Sequence, residues 1–190
     1  MRSIIVSKTP LRISFVGGGS DISDFYEQTG EGRVISTSID KYIYITVHKR
    51  YDDLTRVSYS KTELLENIEE MKHELIRESL KFMKIKGGIE LTSISDLTAH
   101  GTGLGSSSAY TVGVLNALAR YSNKRYSRFN LANDACKIEI EKCNHPIGKQ
   151  DQFASAFGGL NEIVFKKGCV DITPLNVSSE TLEKFSEDAN

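Results

Sequence analysis

The 190-residue sequence predicts an α+β domain, a mixed sheet packed against helices. Three observations carry that expectation. Apolar residues alternate with period two near 3–16, 33–50 and 89–94, helical periodicity fills stretches between and after them, and clustered glycines punctuate both. Hydrophobic residues make up 39% and charged residues 26%, enough for one core, and no repeat or low-complexity linker divides the chain.

Taken in order, Ile4 and Val6, then Leu11, Ile13 and Phe15, read as strands broken near Lys8-Thr9-Pro10. Asp21 is placed to cap a short helix reaching Gln28, with Gly30 as its stop. Tyr42-Ile43-Tyr44-Ile45-Thr46-Val47 gives the strongest strand signal, and a short strand follows over 56–59. Ser60-x-x-Glu63 matches a capping box, which predicts a long amphipathic helix with Leu64, Ile68, Met71, Leu75 and Phe82 on its apolar stripe. Gly87-Gly88 ends it. A strand over 89–94 precedes helices near 107–121, 127–143 and 150–157, and strands near 160–165 and 170–172 close the fold.

Charge and cysteine content exclude several classes. The 24 Lys and Arg balance 25 Asp and Glu, so a nucleic-acid or acidic-membrane partner, which needs a basic surface, is not expected. Three Cys without a CxxC make no disulfide framework and suit a reducing compartment. The apolar run at Ile4–Val6 is cut by Ser7 and Lys8, too short for a signal peptide. The expectation is a cytoplasmic protein. Cys136 and Cys143 are read as packed thiols, and Cys143-x-His145 lacks a partner pair with zinc spacing.

Eight of the 15 glycines fall in three clusters, at Gly17-Gly18-Gly19, at Gly101, Gly103 and Gly105, and at Gly158-Gly159. Gly101-Thr102-Gly103-Leu104-Gly105-Ser106-Ser107-Ser108 runs into a helix of small residues. First-turn N–H groups at the positive end of a helix can hold phosphate oxygens, and serine hydroxyls add donors or a metal ligand. The bland alternative is a helix start with small residues for tight packing. No Walker A pattern occurs, and the glycine spacing is not that of a dinucleotide fingerprint. Asp151, in Gly148-Lys149-Gln150-Asp151-Gln152, is either a first-turn acid favoured by the helix dipole or a base for a hydroxyl proton. Glu141, one helix end away, can hold Mg²⁺.

Pro10-Leu11-Arg12-Ile13-Ser14-Phe15-Val16-Gly17-Gly18-Gly19-Ser20-Asp21, the Gly-Leu-Gly-Ser-Ser-Ser-Ala run and Gly148-Lys149-Gln150-Asp151-Gln152 resemble, in order, motifs of the GHMP small-molecule kinases. Their versions here are most similar to the heptose 7-phosphate kinases of that family and their fucokinase-like relatives. The resemblance implies a domain like the βαβ domain of a ribosomal protein, with a left-handed crossover that the general rule disfavours. It also implies ATP and Mg²⁺ as cofactors and a sugar phosphate as acceptor. Asp151 matches the catalytic aspartate, and Arg12 the basic residue that orients it or the transferred phosphoryl. Gly101 to Ser108 match the nucleotide-phosphate loop, while Ser107 and Glu141 match the Mg²⁺ ligands, with Glu139 a near alternative.

Asp21 matches the carboxylate that holds sugar hydroxyls. Gly18 and Gly19 sit where they would widen the sugar pocket, Ser20 is expected among its substrate-binding residues, and Lys8, Arg12 and Lys149 are expected around it to meet a phosphate on the acceptor. The family's third glycine-rich motif and C-terminal half are not among these residues. Residues 1–175 are therefore expected to form the N-terminal domain, and 176–190 a polar tail leading to a C-terminal domain. The chain alone is expected to be a poor kinase that self-associates, possible homodimer included, through Leu160, Ile163, Phe165, Val170 and Ile172.

Overall fold

An 18-residue strand is the spine of the molecule. The computed structural model describes residues 4–97 and 103–178. In chain order it runs β1 (Ile5–Val16), α1 (Ser23–Thr29), β2 (Gly32–Lys49), β3 (Thr55–Ser58), β4 (Thr62–Leu65), α2 (Glu74–Phe82), β5 (Ile89–Ser95), α3 (Ser106–Tyr121), α4 (Arg128–Cys136), α5 (Gln150–Phe157), β6 (Leu160–Lys166) and β7 (Cys169–Pro174). β1 lies antiparallel along one edge of the spine, β2. The other edge is shared, with β5 on residues 43–49 and β6 on residues 32–37. β7 extends β6, and the β3–β4 hairpin extends β5, with β3 and β5 parallel around α2. The mixed sheet and helical layer are the α+β arrangement expected, and the ordinary β propensity of 42–47 accounts for its centre.

Alternation decides what each strand buries. Ile43, Ile45 and Val47 of β2 point inward with Ser7, Thr9 and Leu11 of β1. They meet α3, whose small residues let it lie close: a Cβ on Gly113 would stand 2.9 Å from the Thr9 hydroxyl oxygen. Ile76, Leu80, Ile89, Leu91, Leu115 and Leu118 complete this core. A second core lies under the other half of β2, where Val34, Phe153, Ile163 and Phe165 pack with Tyr26. Ala156 of α5 packs against both.

Four local expectations are corrected. β1 is one strand through Pro10, because it pairs only with β2 among the described residues and an edge position needs no proline N–H. The break is instead a bulge between Pro10 and Arg12. Glu63 opens no helix; it sits in β4, and its carboxylate accepts the N–H groups of Lys72 and His73 at 2.9 and 3.4 Å, organising the chain before α2. The apolar spacing of Ile68, Met71 and Leu75 is met by a 3₁₀ turn at Ile68–Glu70 and then the shorter α2, while Leu64 is 56% exposed. Asp21 does not cap α1, whose cap position is Ile22. The helix expected over 127–143 passes from α4 into a π-helical turn at Lys137–Lys142.

Candidate active site

A register shift against β2, where residues 39–41 oppose Leu11 alone, sets the first side chain. The inward–outward alternation of β1 changes phase there, so Arg12 follows the inward Leu11 onto the helical side of the sheet. There its Nε donates to Asp151 Oδ1 at 2.7 Å, and Nη1 donates to the Gly103 carbonyl at 2.7 Å. The Arg12 backbone N–H donates to the Leu104 carbonyl at 3.2 Å, tying β1 to the glycine loop. Gly105, at φ +71°, begins α3 beneath this pair; a Cβ there would lie 3.1 Å from the Asp151 carboxylate.

The first turn of α5 reaches three partners in succession. The Gln150 N–H and side-chain amide both donate to the Asp21 carboxylate, at 2.9 and 3.3 Å, while the Ser14 hydroxyl donates to Gln150 Oε1 at 2.7 Å. Asp151 pairs with Arg12. The Gln152 amide donates to Glu139 Oε2 at 2.5 Å, and Glu139 Oε1 accepts the Ser107 hydroxyl at 2.8 Å. Ser108 adds a further hydrogen bond to the same carboxylate. A carboxylate, a guanidinium and a hydroxyl–carboxylate pair thus converge on the start of α3.

Burial raises the Asp151 pKa above its ordinary value, and the Arg12 guanidinium opposes the rise. Glu139 is fully buried, and burial raises its pKa against the hydrogen bonds from Ser108, Ser107 and Gln152. Asp21 is only 2% exposed and fixes the end of α5 from a neighbouring segment. Its carboxylate leaves no room at Gly148, where a Cβ would fall 1.9 Å from Asp21 Oδ2.

The GHMP kinases N terminal domain family matches residues 68–159, which hold the glycine loop, Ser107, Glu139 and Asp151. The chain carries a GHMP kinase N-terminal domain. It is 32% identical to a D-glycero-alpha-D-manno-heptose 7-phosphate kinase of Campylobacter jejuni, over 92% of this chain and 55% of that protein. A galactokinase of Pyrococcus furiosus is 31% identical over 86% of this chain and 47% of its own length. The chain thus spans about half the length of these relatives. A crystal structure titled as a D-glycero-D-manno-heptose 1-phosphate kinase from Bacteroides thetaiotaomicron superposes with a TM-score of 0.86 at 25% identity, covering 95% of this chain and 62% of that one.

Within the GHMP domain, several expected site residues come together and others do not. Arg12, Gly103, Leu104, Gly105, Ser107, Ser108 and Asp151 converge. Ser106 occupies the first position of α3, while Gly101 and Thr102 lie outside the described residues. Glu141 is exposed, and Glu139 is the carboxylate against Ser107. The reason is angular: residues two apart on a helix point to different sides. Gly18 and Gly19 face open space, since a Cβ on either meets nothing within 4 Å. Ser20 donates to the Gly17 and Arg33 carbonyls and shapes that turn.

Lys8 is not at the site. It lies on the opposite face of the sheet, its Nζ 3.6 Å from the Tyr42 ring centre, between inward Ser7 and Thr9. Lys149 stays beside α5, 5.7 Å from the Tyr26 ring centre. Gln150 and Gln152 were missed. Their one signal in sequence is Gln152 itself, a polar residue on a helix turn that otherwise buries Phe153 and Ala154.

Proposed function

We propose that the protein is an ATP-dependent sugar kinase acting on the anomeric hydroxyl of a phosphorylated heptose, D-glycero-D-manno-heptose 7-phosphate, to give the 1,7-bisphosphate. The observation that carries this reading is the Arg12–Asp151 pair seated on Gly103 and Gly105 at the start of α3. Asp151 would accept the proton as the sugar oxygen bonds to the γ-phosphorus and the bond to the β–γ bridging oxygen breaks, releasing ADP. Arg12 keeps that carboxylate ionised and aimed, and sits where developing phosphoryl charge needs a cation. The N-terminal turn of α3, with Gly103 to Ser108 and Gly101-Thr102 before it, would bind the nucleotide phosphates.

Ser107 and Glu139 would hold Mg²⁺: a hydroxyl beside a buried carboxylate is an oxygen-only donor set, which suits a hard cation. The ion, when bound, supplies neutralisation of the β- and γ-phosphate charge. Gly18 and Gly19 would form an open wall for the sugar, with Lys149 the remaining cation for its phosphate and Asp21 positioning α5 and the sugar hydroxyls near it.

A second reading is a kinase for an unphosphorylated sugar such as galactose or fucose. The displacement of Lys8 favours it by removing one of three expected phosphate partners, and so does the similarity to galactokinases. A panel of heptose 7-phosphate, heptose, galactose and fucose, run with ATP and Mg²⁺ on the longest gene product, separates the two. The phosphorylated heptose should have the highest kcat/KM by at least ~100-fold, since cationic groups left without a partner reject the bare sugar. Comparable values for heptose and heptose 7-phosphate would overturn the phosphate-specific reading and leave the kinase one standing.

A further inference from the structure

A second cluster of ligating side chains shares no residue with the Ser107–Glu139 pair. Glu74, in the first turn of α2, meets Cys143 and His145, which follow the π-helical turn; one donor atom of each lies within 4.8 Å of the others. His145 Nε2 is 2.8 Å from Glu74 Oε1. The sequence offered only Cys143-x-His145, two ligands without a partner pair, and the third, Glu74, comes from a helix 71 positions before His145.

We propose that Glu74, Cys143 and His145 form a binding site for a borderline divalent transition metal of the Zn²⁺ class. The donor set selects the metal: thiolate and imidazole disfavour Mg²⁺ and Ca²⁺ and suit Zn²⁺ or Co²⁺, with one carboxylate to complete three protein ligands and water the fourth. Tetrahedral coordination places ligand atoms roughly 3.3–3.8 Å apart, so the 4.8 Å limit requires only side-chain rotation about Cys143 and Glu74. The local field favours a cation. Glu74, Glu78 and Glu139 act on the Cys143 thiol as nearby negative charges, with Arg77 as the opposing charge. The acids that oppose a bare thiolate would be relieved by a dication, which takes the thiol deprotonated.

The backbone presents these ligands as a formed unit. Asn144 sits between them at φ +54°, a left-handed conformation that turns Cys143 and His145 to the same side. The His145 N–H donates to the Glu139 carbonyl at 2.9 Å, and the Cys143 N–H to the Ile138 carbonyl at 2.9 Å, so both ligands are pinned to the π-helical turn. Half-exposed Glu74 closes the site from α2 and leaves it open to solvent on one side. The consequence is mechanical: an ion here would clamp the segment 143–147, which joins the turn bearing Glu139 to the helix bearing Asp151, against α2.

Titration of the metal-stripped chain with Zn²⁺, and separately with Co²⁺, in excess Mg²⁺ tests the site. The wild type should bind one equivalent of each, and the Co²⁺ form should show a thiolate-to-cobalt charge-transfer band with the intense visible bands of tetrahedral coordination. Cys143→Ser should abolish the charge-transfer band, and His145→Gln and Glu74→Gln should each weaken Zn²⁺ binding, the former by at least ~100-fold. Glu74→Gln lies on an exposed helix position and keeps the test valid if the cysteine variant does not fold. A Cys169→Ser control should bind as the wild type does. Absence of saturable Zn²⁺ binding, Co²⁺ binding without the thiolate band, or binding indifferent to the Glu74, Cys143 and His145 variants would each overturn the proposal.

Discussion

Asp151 is pulled two ways. Burial raises its pKa above the ordinary 3.8 while Arg12 pulls it back, and burial wins. A carboxylate moved toward the operating pH accepts a proton more readily. Asp151→Asn should therefore fold and bind ATP normally yet lose at least ~100-fold in turnover; near-normal turnover would reduce Asp151 to a helix acid. Arg12→Met removes the opposing charge, so the acid limb of the pH–rate profile should move to higher pH; an unmoved limb would show that Arg12 does not act through Asp151. Glu139 allows a stability test with the sign fixed. Its folded pKa lies above the ordinary 4.5, so its contribution is fully present below that value and is lost as pH rises through the folded pKa. Glu139→Gln should flatten that decline in Tm while raising the Mg²⁺ needed for turnover. Glu141→Gln, at an exposed position, should change neither. No spacing rule distinguishes carboxylates two residues apart when a π-helical turn alters the angle between them.

At the scale of elements, α5 is where sequence reading succeeded and stopped. The Gly-Lys-Gln-Asp-Gln motif marked Asp151, but the path of Gln150 to Asp21 and Gln152 to Glu139 depends on segments 129 and 13 positions away. Long-range partners of a polar side chain leave no periodicity to read. The strands of the core were legible because alternation and β-branching are local, whereas the β3–β4 hairpin was hidden by the Ser60–Glu63 pattern. Glu63 does serve a helix start, but that of α2, nine and ten residues on. Likewise the register shift between β1 and β2 at Leu11 has no sequence mark, yet Arg12 turns inward beside it. Gly148, two residues before α5, is tightly enclosed: a Cβ would enter the Asp21 carboxylate. Gly148→Ala should cost about 1–3 kcal/mol in urea unfolding, the usual scale of overpacking, because either α5 or the Asp21 segment must move. Gly18→Ala, with open space beside it, should leave stability unchanged and shift only the sugar KM; a stability loss there as large as at Gly148 would show that the turn is packed rather than open.

For the whole molecule, the distribution of apolar surface relocates the expected contact face. Ile163 and Phe165 are fully buried in the second core, with Val170 and Ile172 packed against them, so the last two strands offer no large apolar face. A group of exposed apolar residues lies instead on the sheet face turned away from the helices. Tyr44 stands between Lys8 and Ile94 across three strands, and Val6 is one row along. Val6 is 61% exposed and Ile94 63%. An antiparallel sheet with one solvated face usually alternates polar residues there, and Lys8 over the tyrosines covers only part of this one. β1 adds an edge with no further strand partner among the described residues, the kind of edge that pairs with another chain. Residues 1–190 should therefore self-associate with rising concentration in sedimentation velocity. Val6→Lys and Ile94→Lys remove apolar contact at exposed positions, so they should return the chain to a monomer without lowering Tm. A monomer at every concentration, or an association untouched by both substitutions, would place the contact face elsewhere.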